Sequence, residues 1–241
     1  AVARGSVAVA SGRGFSLVDV LVSLAVIMSL LAMLMPTLAG VRDTTRKVVC
    51  SSNVRQLGIA LHMFAMDNKS MLPNSIFAVK HESNPDSSPA AMMMVIRLET
   101  ADQWDGLGKM FPAYVGASGA FYCIAHTGSH RIESYADQWA GSNGYIYSNY
   151  HYRSLPDRTR IDQVSGNTAL VTDGLATRAD FNHKVGANVL LPDNAVIWYS
   201  DKDGTLLNSL PAAATDPAKD TLVLNAWRTL DMVTVLPGPL P

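Results

Sequence analysis

The most prominent hydrophobic pattern in the sequence is an apolar run over residues 20–38 that contains no charged side chain. As an α-helix rising about 1.5 Å per residue, the run would span roughly 28 Å, close to the hydrocarbon thickness of about 30 Å in a bilayer. The amphipathic helix of a soluble protein carries a polar stripe, whereas here only Ser and Thr residues interrupt the apolar positions. The pattern therefore predicts a membrane-inserting helix.

Apolar positions continue after this run, but with the period of a helix that has one buried side. They recur at alternating spacings of four and three residues, at Cys50, Val54, Leu57, Leu61 and Phe64. We expect one helix over about residues 16–67, its first half in lipid and its second half packed against a soluble domain. The polar and Pro-containing segments at 68–70 and 72–74 are expected to end it.

The remainder of the chain predicts an α+β domain with an antiparallel sheet. Short segments rich in β-branched and aromatic residues predict strands at residues 145–148, 168–172, 187–191 and 195–199. The last two are joined by Pro192-Asp193-Asn194, which predicts a hairpin. Residues 81–90 and 210–219 predict loops, and periodicity leaves residues 222–235 open between a helix and a strand.

Charge and cysteine content narrow the class of protein. The formal net charge of −1, without a dense Lys/Arg run, gives no electrostatic case for a nucleic-acid partner. The two cysteines, Cys50 and Cys123, lack the spacing of a zinc motif and predict either one disulfide or two buried thiols. In an oxidising compartment, a bridge between them would join helix to sheet and stabilise the domain by about 2–5 kcal/mol.

Two general interpretations of the apolar run are a signal peptide and a plain membrane anchor. For a signal peptide, Arg4 and Arg13 would form the basic region and residues 37–39 a small-residue cleavage site. The run is, however, longer than the usual apolar region of about 7–15 residues, and a helix continues after it. A plain anchor leaves Asp19 unexplained, because an ionised residue at mid-membrane costs about 2.5–3.5 kcal/mol and usually marks a function.

A third interpretation comes from residues 14–19, Gly-Phe-Ser-Leu-Val-Asp. They resemble the prepilin cleavage and methylation motif of type IV pilins and type II secretion pseudopilins. The resemblance implies that a dedicated peptidase cuts after Gly14 and that Phe15 is then N-methylated. The acidic residue of the motif, usually glutamate, falls on Asp19, and a proline frequent in the family falls on Pro36.

Electrostatics independently favour an assembly role for Asp19. If subunits stack side by side with an axial offset, the free amine of Phe15 in one subunit can meet Asp19 of the next. Opposite charges about 4 Å apart gain roughly 4 kcal/mol at an effective dielectric near 20. Such a heterologous contact, repeated without closing, builds a helical filament.

The resemblance extends beyond the motif, through CSSNVRQLGIALHMFAMDNKSMLP, GLGKMFPAYVGASGAFYC and FNHKVGANVLLPDNAVIWYSD. It implies a pilin-like α+β fold in which a long N-terminal helix packs on an antiparallel β-sheet domain. The expected parts are a leader (1–14), a membrane-spanning half-helix (15–38), a soluble half-helix (39–70) and a globular domain (71–241). The leader would be cytoplasmic, the helix would cross the bacterial inner membrane, and the globular domain would be periplasmic or extracellular.

Catalytic and metal chemistry have weaker support in the sequence. His126, His130 and His151 could be combined with Asp173 or Asp137 as a triad, but no spacing constrains that arrangement. His62, on the long helix, is expected to be a surface or packing histidine. Asp173, His183 and Asp193 are the best metal candidates, but they are too dispersed for a contiguous calcium loop. We therefore expect no metal, no cofactor and no catalysis.

The sequence thus predicts a structural filament subunit whose partners are the prepilin peptidase, other pilin or pseudopilin subunits and membrane lipid. The alternative is a secreted or membrane-anchored binding or hydrolytic domain that uses the apolar segment only as a signal or anchor. An assembly defect on loss of Asp19 distinguishes the two.

Overall fold

The computed structural model describes residues 16–77, 93–153, 155–156 and 158–232. Its α-helices are α1 (Leu17–Asp67), α2 (Ala136–Trp139), α3 (Thr205–Ser209) and α4 (Lys219–Met232). Its strands are β1 (Val95–Arg97), β2 (Ile146–Tyr147), β3 (Tyr150–Tyr152), β4 (Val171–Asp173), β5 (Gly186–Leu190) and β6 (Val196–Ser200). Short 3-10 helices lie at Gly106–Met110, Ser118–Phe121, Ile132–Tyr135 and Ile161–Gln163. The fold is α+β with a long N-terminal helix, as predicted.

Both ends of α1 have local causes. At the start, the backbone N–H of Val18 donates to Ser16 Oγ at 3.4 Å, and the N–H of Ser16 donates to Asp19 Oδ2 at 3.2 Å. This reciprocal pair is a variant of the capping box, with the hydroxyl accepting from Val18 and not from Asp19, and it satisfies N–H groups at the helix start. We refer to it below as the capping box. At the end, Lys69 and Ser70 have positive φ values of 57° and 64°, which no continuing helix allows.

The chain divides into two units, residues 1–44 and 45–241, and α1 crosses the boundary. In the first unit, the described side chains of residues 16–35 are all exposed. In the second unit, one side of α1 is buried, and Cys50, Val54 and Leu57 are each 0% exposed. The stripe predicted from the spacing of apolar residues is therefore confirmed for this half of the helix.

Two antiparallel sheets form the β structure of the second unit. One pairs β1 with β2, and the other has the strand order β3-β4-β5-β6. Strands β2, β4, β5 and β6 fall within one to three residues of the predicted positions. Strands β1 and β3 were not predicted, because a three-residue strand is too short to show a period.

The predicted hairpin is confirmed between β5 and β6, where Leu190 pairs with Val196. Asn194 takes the left-handed conformation at φ 66°, which Asn tolerates better than most residues. The Asp193 carboxylate accepts a bond from the N–H of Ala195 at 2.9 Å and fixes the turn.

The four-stranded sheet separates two apolar cores. Ala187 and Val189 of β5 belong to the core that contains Trp227 of α4. Leu190, on the opposite face, belongs to the core that contains the buried stripe of α1. Because successive side chains along a strand point to opposite faces of the sheet, one face packs against α1 and the other against α4.

The C-terminal region resolves one open question. The segment for which helix and strand were both considered is the helix α4. Its Asp231 accepts bonds from Arg153 Nη1 at 2.5 and 2.7 Å and from the N–H of Ala169, which join α4 to the sheet. The loop expected over 81–90 lies outside the described residues, as do positions 233–235.

Candidate functional site

The first half of α1 presents an apolar surface that no described part of the chain covers. Leu17 is 75% exposed, Met33 is 72% exposed and Leu34 is 53% exposed. Among the described residues, α1 is the one helix long and apolar enough to cross a membrane, judged by length and composition. Such a surface is unusual for a helix of a soluble monomer, because large contiguous apolar patches mark contact with lipid or protein.

Asp19 lies in the first turn of this exposed helix. Its carboxylate is exposed and accepts the N–H of Ser16 within the capping box. Sequence reasoning gave Asp19 an intermolecular role and missed this local one, although Ser-x-x-Asp before an apolar run is a readable capping pattern. A carboxylate offers about four acceptor positions, so the local bond leaves room for a second partner.

The other residues of the predicted processing motif cannot be placed structurally. Gly14 and Phe15 lie outside the described residues. Position 36 lies within α1, but the side chain of Pro36 is outside the described part. Cleavage after Gly14, methylation of Phe15 and a role for Pro36 therefore stay predictions.

A second candidate site surrounds the two cysteines. The structure joins Cys50 of α1 to Cys123 in a disulfide, with their Cα atoms 5.1 Å apart. Cys50 and Cys123 are 0% and 3% exposed. The hydroxyl of Tyr150 donates to the Cys50 carbonyl at 3.4 Å, and the side chain of Asn149 accepts the N–H of Cys123. The disulfide thus links α1 directly to the segment that precedes the sheet.

Polar side chains cross the sheet on the face toward the second half of α1. Strand register places Tyr150 beside Asp173 and Asn188 beside Trp198. Asp173 connects the two pairs, because its Oδ2 accepts the N–H of Asn188 at 2.6 Å. We call these four residues the polar row. Lys47 of α1 lies over the Trp198 ring at 4.4 Å from its centroid, a cation–π contact that fixes the helix to this row.

Asp173 is the charged centre of the polar row. It is 0% exposed, and its Oδ1 accepts the side-chain N–H of Asn182 at 2.9 Å. Burial raises the pKa of the Asp173 carboxyl, against the opposing effects of His183 and of the amide donors of Asn182 and Asn188. Hydrogen bonds are what make a buried carboxylate tolerable.

His183 brings the disulfide and the polar row together. Its Nε2 lies 3.8 Å from Asp173 Oδ1 and 3.5 Å from Cys123 Sγ. The Trp198 ring meets the imidazole edge-on at 5.4 Å between centroids. Of the three predicted metal candidates, Asp173 and His183 are therefore adjacent, whereas Asp193 lies in the exposed hairpin turn.

A cleft of about 540 Å³ reaches Cys123 from the surface. Arg46, Arg131 and Glu133 contribute to its lining, together with Tyr122. Burial raises the pKa of the Tyr122 hydroxyl, which bonds to Trp139 Nε1 at 3.1 Å. Cys123 is thus one of the residues that line a surface cleft.

Three other histidines of the described residues also have hydrogen-bond partners. His126 Nδ1 lies 2.7 Å from Asn182 Oδ1, and His130 Nδ1 lies 2.6 Å from the Tyr135 hydroxyl. His151 Nδ1 accepts the N–H of Leu175 at 3.2 Å and packs edge-on against Trp227. Burial lowers the pKa of both His126 and His130.

Comparison with known proteins gives one partial match. The family model described as "Protein of unknown function (DUF1559)" matches residues 40–109, which cover the second half of α1 and continue through β1 to Gly106–Met110. No curated protein and no solved structure matches the chain. The family similarity and the N-terminal apolar helix are compatible with a pilin-like or a secreted protein.

Proposed function

We propose that this protein is a pilin-like structural subunit, inserted in the bacterial inner membrane by the first half of α1 and assembled into a type IV pilus-like filament or type II secretion pseudopilus. The observation that carries the proposal is the exposed apolar half-helix with a single carboxylate, Asp19, in its first turn. In this account the chain is a substrate of the prepilin peptidase and not itself an enzyme.

The exposed surface needs two successive partners under this proposal. Lipid covers it while the subunit is in the membrane, and neighbouring subunits cover it in the filament. Leu and Ile side chains insert favourably, with about −0.3 to −0.6 kcal/mol each at the membrane centre. Small uncharged neighbours between them allow helices to approach closely in the assembled state.

Asp19 makes the contact between neighbouring subunits directional, because it pairs with a different group on the next subunit. Cleavage after Gly14 creates an amine at Phe15, and the amine of one subunit meets Asp19 of the next. In the isolated chain the carboxylate bonds to its own Ser16 N–H at 3.2 Å, which holds it at the helix start. This local bond holds the Asp19 carboxylate in place before assembly. The amine of the neighbouring subunit then supplies the positive charge that pairs with the carboxylate.

The second half of α1 transmits force from the filament to the globular part. The buried stripe, the Cys50–Cys123 disulfide and the cation–π contact of Lys47 all join the helix to the second unit. A subunit held in this way presents its globular part on the filament surface, in the periplasm or outside the cell.

Mass spectrometry of the mature N terminus tests the proposal. We expect a chain that begins at Phe15 and carries one added methyl group when the prepilin peptidase is present, and an uncut chain when it is absent. Gly14→Val should block cleavage, whereas the matched change Gly12→Val should leave it intact. A mature chain that begins at Gly40 would favour a secretory signal peptide instead.

An uncut chain in cells that contain the peptidase would favour the anchored binding or hydrolytic domain. In that case the second unit should bind or turn over a ligand by itself, and Asp19→Ala should leave its behaviour unchanged.

A further inference from the structure

Three ligand atoms, two sulfurs and one nitrogen, lie close together where α1 meets the sheet. Cys50 Sγ, Cys123 Sγ and His183 Nε2 all lie within 4.8 Å of one another, and the three residues are buried or partly buried. Asp173 Oδ1 lies 3.8 Å from the same imidazole nitrogen. Two thiolates, one imidazole and one carboxylate are a ligand set that zinc takes in proteins.

We propose that the chain, when its disulfide is reduced, binds a zinc ion through Cys50, Cys123 and His183, with Asp173 as the fourth ligand. The disulfide and the zinc complex exclude each other, so the site exchanges a covalent link for a metal link according to redox conditions. The proposal does not depend on cleavage after Gly14 or on filament assembly.

Two observed distances are close to the edges of a tetrahedral zinc site. With Zn–S near 2.3 Å and Zn–N near 2.0–2.1 Å, the edge between sulfur and nitrogen is about 3.6 Å. Cys123 Sγ and His183 Nε2 are 3.5 Å apart. The edge between nitrogen and a carboxylate oxygen is about 3.4 Å in the same geometry, against 3.8 Å for His183 Nε2 and Asp173 Oδ1.

The surroundings of the ligands are already ordered. Asp173 is held by Asn182 and by the backbone and side chain of Asn188. Trp198 packs against His183 from the side. Polar groups that orient ligands in this way contribute to metal affinity, and their loss typically costs about 10–100-fold.

A small dithiol reductant supplies the two electrons that reduce the Cys50–Cys123 disulfide. The dithiol gives two electrons and becomes a disulfide, the bond between the two sulfur atoms breaks, and two protein thiols form. Zinc binding then releases the two thiol protons, and the sulfur atoms separate to about 3.8 Å in the tetrahedral complex. The cleft that reaches Cys123 provides a path for the reductant and the metal.

Soft ligands and burial favour zinc over calcium. Calcium takes six to eight oxygen ligands, whereas the site offers two sulfurs, one nitrogen and one oxygen. Two thiolates and one carboxylate also leave the complex with a net charge close to that of the buried Asp173 alone. The ion therefore enters without adding charge to the interior.

A zinc titration of the full chain in detergent micelles tests the proposal. The chain is reduced with the dithiol, freed of reductant under inert gas and titrated with Zn²⁺ against a chromogenic chelator. We expect one zinc per reduced chain and none per oxidised chain. Co²⁺ in place of Zn²⁺ should give a thiolate-to-cobalt charge-transfer band in the reduced chain alone.

Zinc affinities of single-residue variants identify which side chains are ligands. His183→Ala and Asp173→Asn should each weaken zinc binding by about 10-fold or more, whereas His62→Ala, a histidine elsewhere on α1, should bind as the unchanged protein does. Equal affinity in the His183→Ala variant would overturn the proposal, because the cysteines alone would then hold the metal. Absence of zinc binding by a folded, reduced chain would overturn it too.

Circular dichroism covers the case in which reduction unfolds the second unit. Zinc should then restore the folded spectrum, because binding to the folded state alone stabilises it by mass action. Failure of zinc to restore the fold would contradict the proposal. Loss of zinc binding with an intact Phe15 N terminus would leave the proposed filament function standing.

Discussion

The two halves of α1 differ in what covers them, although one helix contains both. From Leu17 to Met35 every described side chain is exposed. From Cys50 onward the helix buries a stripe that includes Val54 and Leu57, both fully buried. The second half packs against other parts of the same chain, whereas no described residue covers the first half. The proposed function explains this difference, because it assigns lipid and neighbouring subunits to the surface of the first half.

Glycines on the two halves show the same difference at atomic scale. A Cβ at Gly58 would lie 2.1 Å from Asn194 Oδ1 and 2.6 Å from Leu190 Cδ1. A Cβ at Gly40 would have no neighbour within 4 Å. Close approach of the hairpin turn requires glycine at position 58, whereas nothing described in the chain requires it at position 40.

The largest expected effect is that of removing the first unit. A chain that begins at Thr45 should leave the membrane fraction and stay in solution without detergent, because the exposed apolar half-helix is gone. Its Tm should change by less than about 3 °C, the shift that roughly 1 kcal/mol produces in a domain of this size. Membrane fractionation and thermal denaturation measure the two quantities. A Tm drop of more than about 10 °C would instead make the first unit part of the folded core.

The next largest effect concerns packing in the second half of α1. Leu57→Ala removes a fully buried side chain and should lower the free energy of unfolding by about 2–5 kcal/mol. Ile59→Ala, two positions away and 48% exposed, should cost less than about 0.5 kcal/mol. Urea denaturation of the chain from Thr45 measures both. Similar losses of unfolding free energy for the two changes would mean that no side of this half of α1 is buried.

Alanine at the two glycines should act in opposite directions. Gly58→Ala should destabilise the second unit by about 1–3 kcal/mol, because the added methyl forces the hairpin away from the helix. Gly40→Ala should strengthen the helix by up to about 1 kcal/mol, since alanine favours helix more than glycine does. Denaturation curves measure the first and helical content in micelles the second. A destabilising Gly40→Ala would reveal a contact at that position.

The smallest effect is a pH dependence confined to the second unit. Burial lowers the pKa of His126 below its ordinary value of 6.5, so the folded state favours the neutral ring. Its contribution to stability is present above pH 6.5 and is lost as the pH falls through the lower folded-state pKa. Urea denaturation between neutral and mildly acidic pH should show a smaller loss for His126→Gln than for His62→Gln. Equal losses would exclude His126 as the titrating group.

The sequence predicted those elements of the fold that carry a long hydrophobic pattern or a clear turn segment. The apolar run and the three-four spacing predicted α1, and Pro192-Asp193-Asn194 predicted the β5–β6 hairpin. Strands β1 and β3 were missed because their three residues acquire their conformation from pairing with β2 and β4, which no local pattern records.

The buried site was predictable only in its parts. Asp173 and His183 were singled out for their chemistry, but their adjacency to Cys123 depends on strand register and on the return of the chain after β4. Asp193 was considered with them because an exposed turn acid and a buried acid look alike in sequence, and the structure places it in the hairpin turn. The capping bond of Asp19, by contrast, was available from the Ser-x-x-Asp spacing.

A charge series at Asp19 tests the central claim most directly. Ser16→Ala removes the hydroxyl of the capping box and keeps the carboxylate, whereas Asp19→Asn keeps an acceptor for the Ser16 N–H and removes the charge. Filaments would be sheared from cells and quantified by sedimentation, with membrane levels of each variant as the control. The account predicts assembly by Ser16→Ala and Asp19→Glu and none by Asp19→Asn. Normal assembly of Asp19→Asn would contradict it, because the carboxylate would then be a helix cap alone.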